Sequence, residues 1–533
     1  MTVSRARPAA TDRRQLLASL VQGARYDVVV VGGGATGLGV ALDAASRGLS
    51  VALVESHDFA KGTSSRATKL AHGGVRYLAQ GNISLVREAL RERTHLLHNA
   101  PHLVAPLCFV APGYRCWEAP FYASGLKLYE ALAGRRAGMG KAQWLSSSKT
   151  LQSLPGIRTH GLKGGAKYWD GQFDDARLAL ALARTAASLG AALLNYCEAV
   201  QVLHDQRRVS GVQCRDIETG EIFAIHARCV VNATGVWADR LRRQDGEAEG
   251  RAIRDMVVPS QGVHLVVEAS FLGADSALLV PRTRDGRVLF AVPWLGKLIL
   301  GTTDTPRREI VREPLALSEE VDFILGETAR YLDRPPARGD VKSVWAGLRP
   351  LIEPGGGRVA RMGTSGLNRE HKVVVSDSGL VSVAGGKWTT YRSMAQDVLS
   401  QCEAASLLPS LPPCRTESLL LVGADPTHPA STMTSARLYE AYGSEAAAVR
   451  ELPGADTLLC DGVTEAMVRF AAGYEYARTV EDVLARRCRT LFLDAALAAS
   501  AAPRVAQILE DQTGIDPRLD EFLALAGQYG RLP

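Results

Sequence analysis

The stretch from Tyr26 to Glu55, YDVVVVGGGATGLGVALDAASRGLSVALVE, constrains the fold more than any other. Its apolar run Val28 to Val31 is β-branched and too short for a helix, which reads as a strand buried on both faces. Gly32, Gly34 and Gly37 follow with G-x-G-x-x-G spacing. The first glycine permits a tight turn, the second lets backbone approach a pyrophosphate, and the third lets helix pack close to strand. Leu38 to Arg47 has helical periodicity, and Gly48 stands where a helix would stop. A second strand, Val51 to Val54, ends in Glu55 about 18 residues past Gly37. That carboxylate is placed to accept hydrogen bonds from a ribose, and the helix N-terminus offers N–H groups to a diphosphate. A Gly-rich turn alone can serve packing. Strand, helix, second strand and terminal acid in register predict dinucleotide binding on a doubly wound α/β sheet, and the acid disfavours a 2′-phosphate.

A chain of 533 residues can build two or three domains, and its 46% hydrophobic and 22% charged composition is that of a soluble globular protein. A net charge of +6 favours anionic small molecules or an anionic membrane surface without demanding nucleic acid. The nine cysteines are scattered, with no C-x-x-C and no ligand-like cluster, so neither a disulfide framework nor a metal site is expected. No stretch approaches 18 uninterrupted apolar residues, the length a spanning helix needs. Residues 1–25 carry five arginines, Arg5 to Arg25, against Asp12. They lack a secretory apolar core and read as a short tail with a helix around Arg13 to Val21, a transit peptide being the alternative.

Downstream, Gly62, Thr63, Ser64 and Ser65 suit a loop lying along a cofactor. His72-Gly73-Gly74-Val75-Arg76-Tyr77 sets a cation beside a flexible Gly pair; Arg76 is either a surface residue or a fork of donors for an anion. Leu103 to Leu145 interleaves Trp117, Phe121, Tyr122, Tyr129 and Trp144 with Lys127, Arg135, Arg136 and Lys141. This block suits a bilayer interface or an ordinary cap helix, best from Ser124 to Leu132. Asp174 to Leu189 is a strong helix, and Ala191 to His204, Arg208 to Asp216 and Glu221 to Ala227 alternate like a meander. Val230-Val231 then runs into Asn232-Ala233-Thr234-Gly235, a turn at a strand's carboxyl end, where ligand crevices of doubly wound sheets lie. Strand Leu380 to Val383 meets Gly385-Gly386 and enters a helix through Thr389 and Thr390. This third turn is either one more βα unit or a further wall of the nucleotide site. A capping box at Thr479 to Asp482 predicts a helix through about Ala499.

These motifs together resemble FAD-dependent glycerol-3-phosphate dehydrogenase. The resemblance spans roughly residues 20 to 500 and rests on VVGGGATGLGVALDAASRG, GTSSRATKLAHGGVRYL, the helix after YWDGQFDDAR, VVNATG, GTTDTP, AGLRP and AGGKWTTYR. It implies a Rossmann-like FAD-binding domain within 26–405, built from about 26–100, 175–258 and 350–405. An α+β substrate-capping region (about 101–174 and 259–349) is interleaved, followed by a linker at 406–415 and a helical C-terminal domain at 416–533. The implied cofactor contacts are Gly32, Gly34, Gly37, Glu55, Thr63, Ser64, Ser65, Ala233, Thr234, Gly235, Gly385, Gly386 and Thr389.

The family oxidises sn-glycerol 3-phosphate to dihydroxyacetone phosphate and passes electrons to a membrane quinone while bound peripherally. Animal mitochondrial members carry C-terminal EF-hands, and no calcium loop of alternating acids appears in this chain. The implied location is therefore the cytoplasmic face of a bacterial inner membrane, the mitochondrial inner membrane being the alternative; a homodimer is compatible with the resemblance. Arg76, Tyr77 and Arg369 match the family's anion-binding positions. Arg349 and Lys387 would sit nearer the reacting hydroxyl and flavin, where they could steady an alkoxide. His264 matches a family active-site histidine and starts at a useful pKa, and Lys387 is the second candidate base. Rival readings are a glycerol-3-phosphate oxidase using O2, an FAD-dependent amino-acid oxidase, and an RNA-associated flavin module, for which no RNA-binding motif is present.

Overall fold

The computed structural model of the chain describes residues 11–22, 25–74, 82–133, 139–248, 250–353, 370–435 and 439–533. Strand Tyr26–Val31 is buried over its last four residues because parallel neighbours, Val51–Val54 and Ile222–Asn232, flank it on both sides. Ala192–Leu194 extends the sheet beyond Val51–Val54, and Leu380–Gly385 extends it beyond Ile222–Asn232. His371–Val375 closes that edge antiparallel. Helices Ala35–Ser46, Asp175–Ser188 and Tyr391–Ala404 pack together, so three distant stretches of chain supply one nucleotide-binding layer.

The Ala191 to His204 stretch, expected as one meander strand, is broken at Tyr196, whose φ is +51°. Its first part joins the parallel sheet, and Cys197–Asp205 begins an antiparallel meander with Arg208–Asp216. The turn is fixed by tertiary contacts: Tyr196 N–H donates to His57 O at 2.9 Å. Arg13, in the helix Arg13–Val21, donates to the Asn195 and Tyr196 carbonyls at 2.6 and 3.1 Å.

A ten-stranded sheet forms the second layer. At one side Val257–Glu268 pairs antiparallel with Ser343–Ile352 and with Lys297–Gly301. Leu289–Trp294 and Ala277–Val280 lead on to the long antiparallel pair Val104–Gly113 and Gly164–Phe173. Val104–Gly113, which opens the aromatic and basic block, is a strand almost wholly buried. Leu126 and Tyr129 of helix Glu118–Ala133 are also buried, whereas Trp117 and Trp144 are 57% and 52% exposed. Gly164–Phe173 shows little strand signal because Asp170 and Gln172 are buried polar residues. Arg93 and Tyr129 satisfy Asp170, and Gln172 donates to the Pro293 carbonyl.

The segment 416–533 is helical but contains a small hairpin, Leu458–Cys460 with Val463–Thr464. Thr479 and Asp482 form the expected box: Thr479 N–H donates to Asp482 at 3.0 Å, and Asp482 N–H donates to the Thr479 hydroxyl at 3.3 Å. The helix does not run on to Ala499. A wide turn over Asp482–Arg487 ends at Arg489, with φ +70°, before helices Thr490–Leu493 and Ala495–Thr513. Arg489 is fully buried and its guanidinium donates to Ser65 O and Ala485 O, so long-range bonding overrides the local helical signal.

Asp58 ties this region to the nucleotide layer, accepting from Arg486 at 2.5 Å and from Arg487 at 2.5 and 2.9 Å. Burial alone would raise the Asp58 pKa, but Arg487 and Arg486 outweigh it and hold the carboxyl below its ordinary range. Asp58→Ala removes a buried carboxylate shared by two guanidiniums and is expected to cost about 3–5 kcal/mol, measured by denaturant unfolding. In the parent, the stability Asp58 contributes should be complete above the unfolded carboxyl's 3.8 and lost as pH falls further, a dependence absent in Asp58→Ala.

Candidate active site

Three strand-to-helix turns open on one cavity of about 350 Å³. Gly32, Gly34, Glu55, Thr63, Ser64, Ala233, Thr234, Gly235, Gly385, Gly386 and Thr389 all line it. Gly37 and Ser65 stand behind that wall. A Cβ on Gly37 would lie 1.9 Å from Gly32 O, so this glycine permits helix to touch strand. Gly32 has φ +109°, and a Cβ there would lie 2.6 Å from Ala233 O; the first two turns meet backbone to backbone.

Gly34 starts helix Ala35–Ser46 without a side chain, and Ser64 Oγ accepts the Ala35 N–H at 2.9 Å. Glu55 faces the cavity and also holds its floor: Oε2 accepts from Gly33 N–H at 2.7 Å, and Oε1 from His57 N–H at 2.9 Å. The third turn is tied to the first through Trp388, whose Nε1 donates to Ser64 O at 2.8 Å. Lys61, Arg66, Arg240, Arg312, Arg349 and Lys387 outnumber Glu55 and Glu198 along the lining, which suits an anionic occupant. Burial, then Arg312 and Lys61, push His57 down to about 3, so it adds no charge at neutral pH. Side-chain-free turns, a helix N-terminus and excess cations fit the diphosphate of FAD.

His264 and Arg349 reach the cavity from adjacent antiparallel strands, with Ser260 opposite Arg349 and His264 opposite Trp345. The His264 ring stacks on Trp345, 4.2 Å between centroids and 21° between planes. Its Nε2 lies 3.0 Å from Thr68 Oγ1, and its buried Nδ1 has no hydrogen-bond partner among the described residues. Burial, then Arg349 and Lys69, hold its pKa well below the ordinary 6.5, so the imidazole is neutral. Arg349 donates to Thr303 O and to Thr302 Oγ1, each at 3.0 Å, with Asp304 at 3.6 Å. Lys387 lines the same cavity at the third turn. Arg76, Tyr77 and Arg369 lie outside the described residues.

Sequence reasoning missed several lining residues, among them Thr68, Arg66 and Arg312. It also missed Lys69, fully buried behind the wall and 4.8 Å from the Trp345 ring centre. The one available signal was a lysine set between small and apolar residues in RATKLA.

Residues 27–392 match the family model of FAD-dependent oxidoreductases, and residues 414–519 match that of the C-terminal domain of alpha-glycerophosphate oxidase. The mitochondrial glycerol-3-phosphate dehydrogenase of Saccharomyces cerevisiae is 37% identical, over 95% of this chain and 89% of its own length. The human mitochondrial glycerol-3-phosphate dehydrogenase is 40% identical over 93% of this chain and 72% of its own. Among solved structures, the glycerol-3-phosphate dehydrogenase from Bacillus halodurans complexed with FAD superposes with a TM-score of 0.75. That likeness has 29% identity and covers 97% of this chain and 98% of that one. The L-alpha-glycerophosphate oxidase of Mycoplasma pneumoniae shares the fold at a TM-score of 0.54 and 18% identity, over 75% and 99% of the two chains. A cavity walled by three glycine-bearing turns, fitted to FAD and matched over nearly the whole chain by these relatives, makes this protein a member of the FAD-dependent glycerol-3-phosphate dehydrogenase family.

Proposed function

We propose that the enzyme oxidises sn-glycerol 3-phosphate to dihydroxyacetone phosphate and delivers the electrons to a membrane quinone. The observation that carries this reading is the pairing of neutral His264 with the Arg349 guanidinium on one strand pair at the cavity wall. In this division of labour, residues 26–405 hold cofactor and substrate, and residues 416–533 support them. FAD, when bound, supplies the acceptor for the C2 hydride. Oxidation also requires loss of the hydroxyl proton, and a buried neutral imidazole is ready to take it at a ring nitrogen. Cations around His264 disfavour its protonated form, and a substrate phosphate dianion would offset that push. Arg349 and Lys387 would steady the developing alkoxide, while Arg76, Tyr77 and Arg369 would grip the phosphate, a role that suits guanidinium forks.

The exposed Trp117 and Trp144 support a peripheral position on an inner membrane, bacterial or mitochondrial, as the route to a quinone. Membrane flotation of the intact protein tests this, and Trp117→Ser with Trp144→Ser should release it. A second acceptor is favoured by the C-terminal match to alpha-glycerophosphate oxidase. If O2 serves, turnover yields one peroxide per glycerol 3-phosphate and no quinone reduction.

Anaerobic glycerol 3-phosphate should bleach the flavin absorbance, and failure to bleach would overturn the substrate assignment. Arg349→Lys should remain folded and FAD-loaded while kcat falls about 10²-fold, because an ammonium cannot reproduce the fork. Protonating His264 blocks proton acceptance and its pKa is depressed, so kcat/KM should hold as pH falls through 6.5 and drop only below it. His264→Asn should abolish that limb. A His264→Asn variant with the parent rate and profile, beside an inactive Lys387→Met, would move the base to the lysine.

A further inference from the structure

The loop from Ser56 to Lys69 runs along the cavity, yet its firmest attachments face away from it. The Ser65 carbonyl accepts from two fully buried cations, Lys69 Nζ at 2.8 Å and Arg489 Nη2 at 2.7 Å. Asp175 closes the cage: it accepts from Lys69 at 2.7 Å and from Ala67 N–H at 3.0 Å, and lies 3.1 Å from Arg489. Aromatic walls complete it, with Lys69 4.8 Å from the Trp345 ring centre and Arg489 4.3 Å from that of Phe492. Lys69 itself sits at φ +65°, a conformation an L residue keeps only where its surroundings over-determine it. Burial and Arg489 push its ammonium down to about 7 against the pull of Asp175, a cost that packing alone does not require.

What this cage fixes lies at the two ends of a short stretch. At one end Ser64 takes the Ala35 N–H of the nucleotide helix and, through its carbonyl, the Trp388 indole of the third turn. At the other end Thr68 meets His264 Nε2. We propose that Lys69 and Arg489 are positioning residues for the redox site, clamping the Ser65 carbonyl so that Ser64 and Thr68 keep their places against cofactor and imidazole. Arg489 belongs to the C-terminal region matched over 414–519, so that region is a working part of the flavin site. The clamp rests on the FAD reading of the cavity and not on the identity of the substrate.

Holoprotein carrying Arg489→Lys, Arg489→Met or Lys69→Met tests it, with FAD dissociation followed by flavin fluorescence and turnover expressed per bound flavin. Arg489→Lys keeps the charge but cannot span both the Ala485 and Ser65 carbonyls. It should stay folded while FAD binds about tenfold more weakly, the loss of one hydrogen bond to a charged group. Turnover per bound flavin should fall about tenfold as the Ser64–Thr68 stretch shifts. A lower melting temperature with unchanged FAD affinity and unchanged turnover per flavin would mark a merely structural cluster and overturn the proposal. Should both methionine variants fail to fold, the Arg489→Lys values decide alone. If glycerol 3-phosphate is not the substrate, the FAD affinities still decide.

Discussion

Where Gly32 meets the Ala233 carbonyl, two remote parts of the chain touch through backbone alone. Any side chain at that point would hold the first and second turns apart. The third turn then closes from Gly385-Gly386, joined to the first through the Trp388 indole and the Ser64 carbonyl. A cofactor site of this kind is less a pocket carved into a domain than the gap left where three strand ends cannot approach further. The excess of cations along it follows the chemistry of the diphosphate.

Holding that gap open requires rigidity from behind, and the fold supplies it with buried ions. Asp58 with Arg486 and Arg487, Arg177 with Glu475, and Lys69 with Asp175 all link the nucleotide-binding layer or its cofactor loop to the C-terminal region or to one another. Such pairs contribute little net stability over apolar packing, because desolvation offsets most of the attraction. What they add is directional: each fixes a backbone segment that apolar side chains would let slide.

The nucleotide-binding layer was largely legible in the sequence because its signals are local. A β-branched run, glycines at fixed spacing and an acid after the second strand all fall within one βαβ unit and make a local pattern. The three turns, His264, Arg349 and Lys387 were named from residues and resemblance together, and residues of all of them line the one cavity. The strand Gly164–Phe173 was obscured because its inward polar residues are satisfied by partners such as Arg93 and the Pro293 carbonyl. The break at Arg489 was likewise invisible, being dictated by Ser65, a residue far away in the chain. Tertiary hydrogen bonds leave no periodic trace.

His264 faces Trp345 and Arg349 faces Ser260 across a single uninterrupted ladder. Side chains alternate across a sheet, so a slip of one residue would keep the ladder bonded while rotating the imidazole to the opposite side. Residue number is therefore as tightly constrained as residue type between Ser260 and His264, and between Trp345 and Arg349. Length variation within the family should fall in the connections beyond the ends of these two strands and never inside them.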